Sequence, residues 1–393
     1  MAADQGTRRD VAWATARKYA HAAAEPVAPV RVPLGRAAGL VIAEDLVAAT
    51  PLPAFDTAAM DGFAVAGPGP WTLTGSVRPG RPWAGERLEP GDAVEISTGA
   101  VVPAGASAVL PVESATAGDG AVAGPDLPRG KHIRYAGEDT AAGARLAPAG
   151  TPVGPALLGL AASCGYDELL VRRMPSVRVI VTGDELAHHG LPGPGRVRDA
   201  LGPLLPPLVA ELGGRLDDLV HVPDRPVSAL AEAVQAAAVV EVVVVTGSTS
   251  VGTTDGLRRL LAECDAQWIV DAVACRPGHP QLLARPPGGP YVVGLPGNPF
   301  AALVAAYTLL GPLLAGLSGR ALGKLPQAPL LTEGQASADR TRVVPVVWDG
   351  PGVRALGGDR PAFLNGAALG DALAAVPPGA EPGQPVPLVL LRA

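Results

Sequence analysis

Apolar positions along this chain fall into two textures. Residues 239–261, VVEVVVVTGSTSVGTTDGLRRLL, carry β-branched side chains too continuous for a half-exposed strand, which predicts a buried parallel strand ending at Thr246. A loop of Gly, Ser and Thr follows, and a helix is expected from about Asp255. The same alternation runs through the flanking sequence. VRVIVT (177–182) is a strand leading into Gly183, Asp184 and Glu185, and a helix covers about 203–212, with Pro206 and Pro207 in its early turns. LDDLVHV is the next strand, with Asp224 just beyond it, followed by a helix over 226–238. WIVDAVAC is a fourth strand, RPGHP (276–280) a loop, and YVVGLPGNPFAALVAAYTLLGPLL a further strand and helix. This spacing predicts a doubly wound parallel sheet whose ligands gather beyond the carboxyl ends of its strands.

The second texture lies outside this region. Between about 52 and 153 the chain has short β-type runs (WTLTG, AVEIST, SAVLPVE, HIRYAG) broken by Gly and Pro. Helices are predicted over about 10–24, with Ala12, Ala16, Tyr19 and Ala23 on one face, and from Pro155 to about Cys164, with Gly165 as its stop. Pairing these two helices would make the β-rich unit an insertion into a small helical domain. RVVPVVW and VPLVLL predict a C-terminal β-rich, barrel-like domain. The expected fold is therefore α/β multidomain: helical, 1–45 plus 146–174; β-rich insert, 46–145; doubly wound, 175–323; C-terminal, 324–393.

Composition narrows the partners. The 393 residues suffice for several domains. A net charge of -6 leaves no basic field to recruit nucleic acid, so an anionic ligand would have to be caught locally. Gly (50) and Pro (43) are abundant, yet 48% of residues are hydrophobic, which indicates a loop-rich globular chain rather than disorder. Three widely spaced cysteines without CxxC fit a reducing compartment and argue against a disulfide framework or a zinc site. No secretory leader or membrane-length segment is read, so a cytoplasmic location is expected. His188 and His189, adjacent in a Gly/Pro-rich loop, read as solvated.

Candidate chemistry collects at the strand ends. A strand-loop-helix turn such as 246–255 aims backbone N–H groups, hydroxyls and a helix N-terminus at one point, which suits a phosphate, although most such turns bind nothing. Asp184, Glu185 and Asp224 could bridge a divalent cation to that phosphate; Asp224 and Asp255 equally suit helix capping. Arg276 and His279 could offer charge to an anion, and Gly297-Asn298-Pro299 a second N-terminal anion site. In the β-rich part, Asp61-Gly62 and Thr98-Gly99 sit in dense clusters, and Asp61 also suits a plain turn.

Taken together, PAFDTAAMDGFAV, STGAVVPAGA, AGEDTAAGARL, VTGDEL, TGSTSVGTTD, RPGHP and LPGNP resemble, in order, the motifs of the molybdopterin molybdenumtransferases, the MoeA and gephyrin E-domain family. The resemblance covers essentially the whole chain. It implies an elongated homodimer of four-domain subunits that takes adenylylated molybdopterin, hydrolyses the adenylyl-phosphate link with Mg²⁺, and inserts molybdate to give molybdenum cofactor and AMP. It implies catalytic roles for Asp61, Glu185 and Asp224, with Asp224 and Asp255 as metal ligands. Substrate-binding roles fall to Thr98, Asp184, Thr246, Gly247, Ser250, Gly252, Asp255, Arg276, His279, Pro296 and Asn298. Implied partners are the pathway's molybdopterin adenylyltransferase and acceptor molybdoenzymes.

The chain also departs from the family pattern. Ser248 and Thr249 replace a Gly and an apolar residue of the phosphate loop, His279 a Lys, Ala200 and Leu201 a Ser-Asn pair, Ser107 an Asp, and RPAFL a Ser-containing turn. Two readings follow: an active molybdenum insertase, or a diverged paralogue that binds pterin or nucleotide without this catalysis.

Overall fold

A computed structural model describes residues 9–247, 256–332 and 336–391. The chain forms two compact units, one of residues 1–30 and 172–393, the other of residues 31–171.

In the first unit, α1 (Trp13–Ala22) precedes the alternating region. There β1 (Ser176–Thr182), α2 (Leu201–Glu211), β2 (Arg215–Val222), α3 (Val227–Gln235), β3 (Val242–Thr246), α4 (Gly256–Glu263), β4 (Gln267–Arg276), β5 (Leu282–Arg285) and β6 (Tyr291–Leu295) follow in order, then α5 (Pro299–Leu317). Strands pair in the order β2-β1-β3-β6, all parallel. Every residue of β3 is buried, so each of its valines contributes roughly 1.5–3 kcal/mol by leaving water. The sheet is not parallel throughout. β5 enters antiparallel to both β6 and β4, a strand the WIVDAVAC-to-YVVGL spacing did not reveal, so β4 lies two strands from β6.

The N-terminal helix does not pair with the helix Pro155–Ser163. Its buried stripe is Trp13, Ala16 and Ala20; of the predicted face Ala16 is in that stripe, Tyr19 and Ala23 pack against the same core formed with α5, and Ala12 is exposed. Trp13 Nε1–H donates to Thr308 Oγ1 at 2.9 Å, and the Thr308 hydroxyl donates to the Val304 carbonyl. Thr308 lies in a π-helical stretch, Ala306–Leu310, within α5. Helix Pro155–Ser163 instead contributes Ala161 to a core in the second unit with Ala37, Ile42, Leu169 and Val171. At 19 residues α5 does reach membrane-spanning length and hydropathy, contrary to the sequence reading, but most of it is buried inside the protein. The C-terminal strands β7 (Thr341–Asp349), β8 (Gly352–Ala355), β9 (Ala372–Val376) and β10 (Pro385–Leu390) pair antiparallel around their own core of Val344, Val346, Ala374 and Leu388.

One ion pair ties the entry of β1 to that of β3. Glu241 accepts from Arg173 and from the Ser176 N–H at 2.7 Å. Burial pushes its carboxyl up, but the Arg173 and Ser176 hydrogen bonds more than reverse this and hold it at about 2, against an ordinary 4.5. A depressed folded-state value stabilises above the unfolded one. This contribution is therefore complete above about pH 4.5 and is lost as pH falls toward 2. Glu241→Gln is expected to cost about 1–2 kcal/mol in urea unfolding at pH 7 and correspondingly less at pH 3.

The second unit centres on a six-stranded sheet ordered Thr116–Gly118, Ala121–Ala123, Trp71–Val77, Asp92–Ile96, Gly62–Val65, Ala108–Pro111. Gly62–Val65 is fully buried between its two neighbours.

Candidate functional site

The parallel part of the sheet has a cavity at its carboxyl edge. Beyond β1, β2, β3 and β6 lies a cavity of about 640 Å³ lined by Thr182, Glu185, Arg198, Asp199, Asp224, Gly247 and Asn298, with Ala362 and Leu364 on one wall. Its floor is where β3 ends. Thr182 Oγ1 donates to the Thr246 carbonyl at 2.7 Å. Gly247 turns with φ +87°, and a Cβ there would lie 2.7 Å from Thr182 Oγ1 and 2.8 Å from the Thr182 carbonyl oxygen. Glycine is thus what lets the loop after β3 leave against β1.

The loops after β1 and β2 are clasped together: the Asp184 N–H donates to Asp224 Oδ2 and the Asp224 N–H to Asp184 Oδ1, both at 3.2 Å. This fixes Asp224 on the wall beside Glu185. Among the described residues the cavity therefore carries three carboxylates, on Glu185, Asp199 and Asp224, against one guanidinium, on Arg198. Arg198 and Asp199 were not among the predicted site residues. Their signal was the Arg-Asp pair immediately ahead of α2.

Asp199 is 6% exposed. Its Oδ1 accepts from the Leu201 and Gly202 N–H groups, both at 2.9 Å, and so supplies the first turn of α2 with acceptors. Burial pushes its carboxyl up, yet these bonds and His221 together hold it below the usual carboxylate range.

Several predicted residues lie elsewhere. Thr246 is fully buried, its hydroxyl without a hydrogen-bond partner among the described residues. Pro296 is buried and Asp184 exposed; neither lines the cavity. The expected anion site at the start of α5 is already filled from within: the Phe300 and Ala301 N–H groups donate to the Pro361 carbonyl at 2.9 and 3.1 Å. Arg276 is exposed at the end of β4, away from this cavity, and His279 is bound to Asp10 at 2.6 Å rather than open to an anion. Ser250, Gly252 and Asp255, with Ser248 and Thr249, lie outside the described residues.

In the second unit the structure brings Asp61 and Thr98 together. Both are exposed, and the Thr98 N–H donates to Asp61 Oδ1 at 2.7 Å. Asp61 stands in the bend immediately before a buried strand, with its own carbonyl accepting from the Val112 N–H. Ser107 has a structural role, its hydroxyl and N–H both donating to the Val65 carbonyl.

A doubly wound sheet with an acidic cavity at its carboxyl edge, joined to a separate β-rich unit, defines a ligand-binding α/β protein. Comparison with known proteins gives the family. The pattern described as "MoeA N-terminal region (domain I and II)" matches residues 11–165, and that of a "probable molybdopterin binding domain" matches residues 178–316. The chain is 36% identical over 308 residues to molybdopterin molybdenumtransferase 2 of Mycobacterium tuberculosis, covering 73% of this chain and 74% of that one. It is 36% identical over 304 residues to the molybdopterin molybdenumtransferase of Synechococcus elongatus, covering 74% and 75%. A crystal structure of the molybdopterin biosynthesis MoeA protein of Pyrococcus horikoshii superposes over 98% of this chain and all of that one, with a TM-score of 0.77 at 27% identity. The chain belongs to the molybdopterin molybdenumtransferase family.

Proposed function

We propose that this protein inserts molybdate into adenylylated molybdopterin and releases AMP, a step of molybdenum cofactor biosynthesis. The observation that carries the reading is the cavity beyond β1, β2, β3 and β6, where Glu185 and Asp224 face a glycine-opened floor within a chain of this family. Cleaving a phosphoanhydride adds water to one phosphorus, breaks the bridging P–O bond and sends the electron pair out on the other phosphate. That chemistry chiefly needs alignment and charge neutralisation.

The donor set fits Mg²⁺: Glu185, Asp224 and the Asn298 amide offer only hard oxygens, and Asn298 makes no side-chain cap to α5. When bound, Mg²⁺ supplies the positive charge that three carboxylates and one guanidinium lack. Within the chain, Glu185 and Asp224 hold and orient that charge, Arg198 faces the phosphate, and Gly247 admits it close to the backbone. Asp61 and Thr98 complete the site across a homodimer, and transfer to acceptor molybdoenzymes follows in the cytoplasm. The relatives named above give no support to a non-catalytic paralogue.

The test uses purified protein, adenylylated molybdopterin, Mg²⁺ and molybdate. AMP release together with activation of a cofactor-free molybdoenzyme is expected; neither product appearing would reject the proposal.

A further inference from the structure

At the edge of the cavity, sharing Asp199 with its lining, His188, Asp199 and His221 converge. Their ligand atoms all lie within 4.8 Å of one another. Asp199 Oδ2 is 2.8 Å from His221 Nε2 and 3.8 Å from His188 Nδ1, and the two imidazoles meet edge to face with centroids 4.1 Å apart. We propose that these three side chains form a binding site for a borderline transition ion of the Zn²⁺ class, distinct from the Mg²⁺ expected in the cavity.

Three observations support it. First, the donors are of the right kind: two imidazoles and one carboxylate favour Zn²⁺, Co²⁺ or Ni²⁺, whereas Mg²⁺ seeks an all-oxygen shell. Second, the spacing is close to what such an ion needs. Ligands about 2.0–2.1 Å from a tetrahedral centre stand roughly 3.3 Å apart, and the observed 2.8 and 3.8 Å straddle that value. An ion entering between Asp199 and His221 would widen one separation and draw His188 in to close the other. Third, the carboxylate is held in place. Asp199 Oδ1 is fixed by the Leu201 and Gly202 N–H groups, which leaves Oδ2 directed at the imidazoles. Gly202 keeps that side open: a Cβ there would sit 2.3 Å from Oδ2 and 3.5 Å from His221 Nε2. The two histidines are 45% and 35% exposed, so an ion has an entrance and a position left for water.

The consequence is a tie between separate elements. His221 is on β2, His188 follows the short strand Leu186–Ala187, and Asp199 stands just ahead of α2 and lines the cavity. Loading the site would fix the 188–199 loop to the sheet and stiffen one cavity wall. His188 therefore departs from the solvated reading of HHG, whereas His189 is exposed and outside the cluster.

The experiment takes untagged full-length protein stripped with chelator and titrates it with zinc chloride against a chromophoric zinc indicator, in excess Mg²⁺. One tightly held Zn²⁺ per chain is expected. His188→Gln and His221→Gln should each weaken binding at least tenfold, and His189→Gln should leave it unchanged. Cobalt chloride should give a visible d–d spectrum that His188→Gln abolishes. Because His188 is exposed, that variant separates ligand loss from misfolding, which circular dichroism checks. Absence of stoichiometric Zn²⁺ binding, binding unaffected by both cluster variants, or competition by millimolar Mg²⁺ would overturn the proposal. None of these readouts depends on AMP release, so the site stands or falls separately from the transferase reading.

Discussion

Glu185→Gln is expected to lower the rate of AMP release by about 100- to 1,000-fold while leaving thermal unfolding within experimental error. The two halves of this expectation have one cause. Glu185 lines the cavity, is exposed, and makes no ion pair among the described residues. Replacing its carboxylate by an amide of the same shape therefore removes negative charge without stranding a buried partner. If Glu185 acts by holding Mg²⁺, the apparent Mg²⁺ requirement should rise and excess cation should restore part of the rate. A variant with wild-type turnover would remove Glu185 from the catalytic set, and a variant that unfolds early would assign it a structural task. Asp224→Asn is a less clean probe, since it also alters the clasp with Asp184.

Gly62→Ala should unfold the β-rich unit at a markedly lower temperature and take the Asp61–Thr98 contact with it. Gly62 opens a buried strand with φ +155°, and a Cβ there would lie 2.0 Å from the Leu110 carbonyl oxygen and 2.9 Å from the Val112 nitrogen. These are backbone atoms of the neighbouring strand and of the turn that follows it, so no side-chain rotation relieves the clash. A cost of about 3 kcal/mol or more follows, roughly 6–12 °C in melting temperature. Gly99→Ala is the matched control. Its φ is +78°, but nothing lies within 4 Å of the added methyl, so backbone strain alone should cost about 1 kcal/mol. Equal unfolding of the two variants, followed by circular dichroism, would show that the close approach to Leu110 is not what requires glycine.

How much could be read from the sequence depended on whether a feature was local. The valine runs of β1 and β3 announced buried strands, and the strand-end rule put Glu185, Asp224, Gly247 and Asn298 on one edge, where they line a single cavity. It misplaced Arg276 and His279 because β5 separates β4 from β6. That intervening strand moves the end of β4 sideways by roughly 10 Å at ordinary strand spacing. The short run LLAR (282–285) carried too little pattern to show it.

Packing partners were equally hidden. Alanine-rich helices present small residues on most faces, so periodicity did not distinguish the Trp13–Ala16–Ala20 stripe of α1 from its alternatives. The His188–Asp199–His221 cluster had no sequence signature at all. It exists because β1 and β2 pair with Val181 opposite His221, which brings a residue forty positions along the chain beside the loop that leaves β1. Charge and partnership at an individual site, such as Asp10 taking up His279, likewise came only with the tertiary structure.

The turn that supplies Pro361 has an evolutionary consequence. Its carbonyl accepts from the first N–H groups of α5, and the adjoining Ala362 and Leu364 line the cavity. The attachment runs through main-chain atoms, so it tolerates exchange of the neighbouring side chains. The segment behaves as a replaceable panel: its position is inherited with the backbone, while the size and polarity of what it shows to a ligand can drift. Selection for a different pterin or oxyanion could act there first, leaving the parallel sheet and its carboxylates unaltered.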